Sequence, residues 1–224
     1  EARETEAGRD GVRTVVSLAS EIDTEWLLEL FPERIAEELE TRWNETDKAV
    51  EQHETMALDG LVFYRRQRRT QPEAAAVVLV RQIVQGQVRL EGWDEGVEQW
   101  LARSRFVARL FPERGLTAYD DEDVEVILHE IVAGATRASH LRRRPCLPAV
   151  VQALSWDDQQ FVEKMAPTRI KLPSGHGMRL RYRDDGSPVG RAKIQDFYGL
   201  EETPKVAGGR QQVLLEILAP NFRP

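Results

Sequence analysis

Apolar and polar residues alternate over short segments in the first part of the chain, a pattern typical of β-strands. These segments lie at residues 12–18, 39–43, 50–56 and 61–64. The dipeptide Asp59-Gly60 separates the last two, and Asp-Gly between apolar segments is a specific hairpin signal. Several short strands of this kind predict a partial, small antiparallel β-barrel of the oligonucleotide/oligosaccharide-binding (OB) type over residues 12–70.

One short helix interrupts this region. Asp23 is a suitable N-cap for it, and Pro32 limits it because the residue before a proline avoids the helical conformation. Residues 1–11 are charged and small and have no apolar period, so we predict a flexible lead-in there.

Between residues 71 and 166 the apolar period becomes that of a helix. Residues 74–84 are strongly apolar, and later residues recur at helical spacing. The recurring residues are Val97, Trp100 and Leu101, then Val124, Ile127, Leu128 and Ile131. Acidic residues at 120–123 and Ser155 stand where helix N-termini are expected, since side-chain oxygens there satisfy free backbone N–H groups. We therefore predict a helical region over residues 71–166.

Strand patterns return over residues 167–224. The clearest alternation places apolar residues on one face and basic residues on the other, namely Met178, Leu180 and Tyr182 against Arg179, Arg181 and Arg183. Residues 191–198 predict a short helix that ends at Gly199, and residues 213–218 predict a buried last strand. The chain as a whole is thus predicted to be α+β: an OB-like barrel, a helical region, and a small β-rich C-terminal subdomain with one short helix.

The basic residues are distributed unevenly along the chain. The 224 residues carry a net charge of −7, yet residues 167–224 hold ten Lys/Arg against six Asp/Glu. A further cluster of three arginines stands at residues 142–144. The predicted nucleic-acid-binding residues are Arg65, Arg66, Arg68, Arg69, Arg179, Arg181 and Arg183. Phosphate attraction depends on local potential, although such arginines can also simply solvate a surface.

Three aromatic residues, Trp43, Phe63 and Tyr182, are candidates for stacking on nucleic-acid bases. Core packing is the favoured interpretation of all three.

The sequence contains no convincing catalytic or metal-binding pattern, and none is predicted. It lacks the Gly-Lys pair of a P-loop, and its four histidines have no ligand spacing. The single cysteine, Cys146, excludes an internal disulfide, and neighbouring arginines could lower its pKa, although a nucleophilic role is disfavoured. The longest apolar run, residues 74–80, is far shorter than the roughly 20 residues of a membrane span, so we expect no membrane partner and a cytoplasmic location.

Four segments carry a resemblance to a known family. They are LASEIDTEWLLELFP at 18–32, APTRIKLPSG at 166–175, IQDFYGL at 194–200 and LAPNFRP at 218–224. In this order and spacing they resemble the C-terminal half of HrpB, a family of bacterial DEAH-type ATP-dependent RNA helicases. The resemblance implies that residues 167–224 are the family's β-rich C-terminal subdomain, truncated at its end.

The resemblance also implies a function. The chain would be a non-catalytic accessory region that assists single-stranded RNA or DNA binding next to the motor lobes of the same parent protein. ATP and magnesium would belong to those lobes and not to this chain. The alternative is a protein-interaction or structural module that packs on the motor lobes without contacting nucleic acid.

Overall fold

The structure is a computed structural model, and it describes residues 2–4, 14–16, 20–117 and 119–218. Its helices are α1 (Thr24–Leu30), α2 (Pro72–Val84), α3 (Glu95–Leu110), α4 (Asp121–Val132), α5 (Leu147–Gln152) and α6 (Trp156–Met165). Its strands are β1 (Ala2–Glu4), β2 (Thr14–Val16), β3 (Ile35–Asn44), β4 (Ala49–Leu58), β5 (Leu61–Arg68), β6 (Arg169–Lys171), β7 (Gly177–Tyr182), β8 (Pro188–Lys193), β9 (Lys205–Val206), β10 (Gln211–Gln212) and β11 (Leu214–Leu218). Helices and mainly antiparallel sheets together confirm the α+β class.

The chain divides into two compact units. The first unit contains residues 1–42 and 51–69, and the second contains residues 43–50 and 70–224. β1 pairs with β2 in a two-stranded antiparallel sheet. The flexible lead-in predicted for residues 1–11 lies outside the described residues except for β1, and it stays a prediction.

In the first unit, α1 begins where the sequence predicts. The Asp23 side chain accepts a hydrogen bond from the Glu25 backbone N–H at 3.0 Å. The hairpin between β4 and β5 turns at Asp59 and Gly60, whose φ angles of 51° and 88° suit a tight two-residue turn. Both the N-cap and the hairpin predictions are confirmed.

The OB-like barrel predicted for residues 12–70 is not confirmed. β3, β4 and β5 form an open three-stranded sheet in that order. Closing a sheet into a barrel requires more strands, tilted so that the first pairs with the last. In the part of the chain that the structure describes, the sheet retains two edges.

The helices α2 to α6 lie within residues 71–166, as the apolar period predicts. Asp120 and Asp123 form a capping box at the start of α4, and Ser155 accepts a hydrogen bond from the Asp158 N–H at the start of α6. The buried faces of these helices form one hydrophobic core in the second unit, which extends from Val50 to Val213. No helix among the described residues is both long and apolar enough to cross a membrane.

The C-terminal part contains a four-stranded sheet in the order β11-β8-β7-β6, in which β11 runs parallel to β8. β9 and β10 form a separate two-stranded ribbon. The Met178 side chain of β7 fills the space above Gly190 of β8, since a Cβ at residue 190 would approach the Met178 Cε to 2.4 Å.

Two predictions in this part need correction. The short helix predicted over residues 191–198 is present only as a 3₁₀ helix at Ile194–Phe197, followed by Gly199 with a φ angle of 80°. Residues 191–193 belong instead to β8, which gains backbone hydrogen bonds from strands on both sides. The last strand, predicted to be buried, is an edge strand: Val213 is buried, whereas Leu214 and Ile217 are 50% and 55% exposed.

Candidate nucleic-acid interface

β7 presents the basic face that the sequence predicts. Its residues alternate strictly between exposed and buried, so that Met178, Leu180 and Tyr182 enter the core. Gln99 of α3 fixes the end of the strand, since its amide accepts from the Tyr182 N–H at 2.9 Å and donates to the Tyr182 carbonyl at 3.1 Å. The arginine face therefore lies on a strand that is anchored both by its buried face and by hydrogen bonds to α3.

Arg179, Arg181 and Arg183 are all exposed, but two of them already bind carboxylates. Arg181 forms an ion pair with Glu95. Arg183 donates to Glu216 at 2.8 Å. A phosphate group would have to compete with these carboxylates for both arginines.

Glu216 also binds Arg191, with the closest nitrogen–oxygen distance at 2.6 Å. The hydrogen bond from Arg191, reinforced by that from Arg183, holds the pKa of Glu216 below its usual range. The carboxylate is therefore charged at neutral pH and neutralises part of the basic surface.

The remaining cations of this face form a like-charged group. Arg169 of β6 lies directly opposite Arg179 of β7, and both side chains are exposed. Lys171, on the same face of β6, lies opposite Gly177. Within residues 20–117 and 119–218, these three cations form no ion pair. Like charges directly opposite each other are destabilising, so an anion bound between them would relieve a real cost.

Sequence reasoning missed Arg169 and Lys171 as site residues. The signal was present in the sequence: strand-like residues at 168–172, the turn residues Pro-Ser-Gly at 173–175 and the alternating strand at 178–183 together indicate a hairpin. The register of that hairpin places Arg169 beside Arg179.

The second predicted cluster lies on β5 and just beyond it, in the first unit. Strand alternation divides it, because Arg66 and Arg68 point to one face and Arg65 to the other. Arg68 donates to Glu54 at 2.7 Å, and this hydrogen bond raises the pKa of the guanidinium. Arg69 follows the end of the strand. All four side chains are exposed, but they do not form one continuous row.

The aromatic candidates differ in their exposure. Tyr182 is only 2% exposed, packs on Phe106 at 5.2 Å between ring centroids, and donates its hydroxyl to the Pro167 carbonyl at 3.1 Å. Burial raises the pKa of this phenol. Core packing is therefore confirmed for Tyr182, and a stacking role for it is wrong. Trp43 and Phe63 are half-buried.

The suggestion that arginines lower the pKa of Cys146 is wrong. The side chain is 0% exposed, and burial raises the pKa of the thiol, with a smaller contribution from Asp94. The thiol packs in the core and donates weakly to the Arg144 carbonyl at 3.6 Å. Across the described residues, no group of three or more His, Cys, Asp or Glu side chains is arranged to hold a metal ion.

Comparison with known proteins finds similarity to helicases. Residues 127–224 match the family model HrpB_C, described as ATP-dependent helicase C-terminal. The ATP-dependent RNA helicase HrpB of Escherichia coli (strain K12) is 29% identical over 136 residues, which are 59% of this chain and 17% of that protein. The resemblance to the C-terminal region of HrpB-like helicases is confirmed.

Solved structures agree in fold. A crystal structure of the E. coli DExH-box NTPase HrpB superposes with a TM-score of 0.65 at 22% identity, covering 94% of this chain and 27% of that one. A crystal structure of the Escherichia coli DEAH/RHA helicase HrpB gives a TM-score of 0.61 at 20% identity, covering 82% of this chain and 24% of that one. The HrpB-like fold thus covers nearly the whole chain, while the chain spans only a small part of the relatives it matches.

Proposed function

We propose that this chain is an accessory C-terminal region of an ATP-dependent RNA helicase. It assists the binding of single-stranded nucleic acid next to a motor core that contributes ATP and magnesium. The match of residues 127–224 to a helicase C-terminal family supports the helicase assignment. The cytoplasmic location and the motor lobes as a partner belong to the same proposal.

The nucleic-acid role rests on Arg169, Lys171 and Arg179 of the β6–β7 face, which form no ion pair within the described residues. A phosphodiester passing over this face neutralises like charges that the fold holds together, and it releases bound counterions. Arginine also matches the geometry of phosphate oxygens through its planar fork. We include Arg181 and Arg183 as secondary contacts, available only after displacement of their carboxylates.

We extend the proposal to the first unit. Residues 12–70 would represent the later part of an OB-like barrel, in which Arg65, Arg66, Arg68 and Arg69 contact the nucleic acid. Arg65, Arg66 and Arg69 form no ion pair within the described residues, whereas Arg68 is held by Glu54.

The test is fluorescence anisotropy with a labelled single-stranded RNA at two salt concentrations. We expect binding at low salt that weakens as salt rises, because phosphate contacts release counterions. Arg179→Gln should weaken binding about fivefold and reduce the salt slope by roughly 0.7 for one lost single-strand phosphate contact. Arg181→Gln, with the same charge change, should have a smaller effect because Glu95 already neutralises Arg181.

Two results would contradict the proposal. The first is the absence of binding at low salt, and the second is binding without a salt slope. If Arg179→Gln and Arg181→Gln reduced the affinity for RNA equally, only the role given to the cations without ion pairs on the β6–β7 face would be contradicted.

One observation favours the alternative, a module that packs on the motor lobes. The first unit exposes many apolar side chains, including Trp26 at 57%, Leu30 at 69% and Leu61 at 74%. Such a surface is typical of protein contacts. A pulldown with the separate motor half that resists nuclease and the changes Arg179→Glu and Arg181→Glu would favour this alternative.

A further inference from the structure

A second basic site lies in the loop between α4 and α5, at Arg142, Arg143 and Arg144. Two fully buried residues, Leu141 and Cys146, bracket this loop. A backbone hydrogen bond from the Arg144 N–H to the Leu141 carbonyl at 3.1 Å closes a turn between them. The three arginines are therefore displayed from a loop with fixed ends.

Further contacts hold the loop in place. Arg144 donates to the carbonyls of Ile131 and Ala133 at 2.5 and 2.8 Å, which satisfies the C-terminal end of α4. Gly92 packs against the same loop so tightly that a Cβ would lie 2.0 Å from the Arg144 oxygen. Arg142 donates to Glu91 at 2.9 Å.

These contacts leave Arg143 as the available cation. It is exposed, and it forms no ion pair within residues 20–117 and 119–218. It lines an open cavity of about 540 Å³ together with Ser139, His140 and the neighbouring arginines. The Nδ1 of His140 accepts a hydrogen bond from the Thr136 N–H at 3.4 Å, which ties this side chain to the loop that precedes it. Pro145 is the only apolar residue of this lining among the described residues.

The loop and the β6–β7 face border two neighbouring cavities. A cavity of about 590 Å³ beside Arg179 is lined in part by Asp94, Glu95, Leu147 and Glu163. Asp94 and Leu147 also line a cavity of about 320 Å³ that includes Arg142, Arg143 and Arg144. The two cavities therefore share part of their lining, with Arg179 at one and the arginine loop at the other.

The acidic residues that line these two cavities are already matched. Glu91 binds Arg142, Glu95 binds Arg181 and Glu163 binds Arg103. Asp94 caps α3, where its carboxylate accepts from the Gly96 and Val97 N–H groups, so its charge faces the positive end of a helix dipole. Among the described residues, Arg179 at one cavity and Arg143 at the other are exposed arginines without a carboxylate partner.

We infer that the loop around Arg143 is a second phosphate-binding site for the backbone of a single-stranded nucleic acid that also contacts Arg179. This inference rests on the proposed function and adds a site to it. Three arginines and one histidine line the cavity at Arg143 and, in the described part of the chain, no carboxylate does. The planar guanidinium matches phosphate oxygens, which favours a phosphodiester backbone.

The test uses the full chain and a labelled single-stranded RNA of about 16 nucleotides, the upper end of a typical single-strand site. Arg143→Gln should weaken binding about fivefold and reduce the salt slope by roughly 0.7. The double variant Arg143→Gln/Arg179→Gln should lose about twice that slope, since two separate phosphate contacts disappear. The control is Arg81→Gln, an exposed arginine of α2 with the same charge change and no expected effect beyond that charge.

Each other outcome is informative. If the wild-type chain binds RNA but Arg143→Gln behaves like Arg81→Gln, the inference fails and the proposed function stands. A double variant with the slope of Arg179→Gln alone also overturns the inference. If the wild-type chain does not bind RNA, both fail. If labelled polyglutamate binds as tightly as RNA and loses as much with Arg143→Gln, the loop recognises carboxylates, and its assignment to nucleic acid is wrong.

Discussion

The first unit buries only Gln52 and Thr55 among its described residues, whereas the second unit buries an extensive apolar core. Gln52 donates to the Thr41 hydroxyl at 3.1 Å, so even the interior of the first unit is polar. Its exposed large apolar residues are Ile22, Trp26, Leu28, Leu30, Phe31, Leu39, Leu61 and Val62. Because apolar burial is the dominant favourable contribution to folding, we expect the second unit to determine the stability of the chain. The first unit would gain most from a covering partner.

The largest expected effect on stability comes from replacing one leucine with alanine in each unit. Leu79→Ala removes a side chain that is 0% exposed in the second unit, and it should lower the free energy of unfolding by about 2–5 kcal/mol. Leu61→Ala removes one that is 74% exposed in the first unit, and it should change that free energy by less than about 0.5 kcal/mol. Urea unfolding followed by circular dichroism measures both. A comparable loss for Leu61→Ala would mean that the first unit buries Leu61 after all.

An intermediate effect comes from the helix caps. Asp120→Ala breaks the capping box of α4 and should lower the global free energy of unfolding by about 1 kcal/mol. Asp23→Ala removes the N-cap of α1, which has no buried residue, and should leave the global transition unchanged while its amides exchange faster. Urea unfolding together with hydrogen exchange separates the two outcomes. A global loss with Asp23→Ala would make α1 part of the main cooperative unit.

The smallest effect concerns pH. Because Arg191 and Arg183 lower the pKa of Glu216, their ion pairs stabilise the fold above the ordinary glutamate pKa, and this is lost as pH falls through the lowered value. The Tm of Glu216→Gln should therefore lie slightly below wild type at pH 7 and converge with it in acid. In the first unit, Arg34 likewise lowers the pKa of Asp59. Asp59→Asn should nevertheless leave the main unfolding transition unchanged, because the second unit determines that transition. A Tm difference for Glu216→Gln that grows on acidification would contradict this account.

Local patterns predicted much of the fold and part of the candidate site. The alternation in β7, the Asp59-Gly60 turn and the caps at Asp23 and Ser155 depend on neighbouring residues, and all were predictable. The parallel pairing of β8 with β11 was not, because it joins distant segments whose register no local signal specifies. The same limit applies to the carboxylate partners of Arg181 and Arg183, which decide how much positive charge remains available.

The strand tips at residues 43–50 have a consequence for anyone who divides this chain. They belong to the second unit: the Val50 N–H donates to the Thr136 carbonyl at 2.8 Å, and the Ala138 N–H donates to the Lys48 carbonyl at 2.9 Å. Val50, 3% exposed, is also a member of the hydrophobic core. A clone that starts at residue 70 would therefore lack part of the hydrophobic core of the second unit. A hairpin transferred to another protein would likewise remove Val50 from that core.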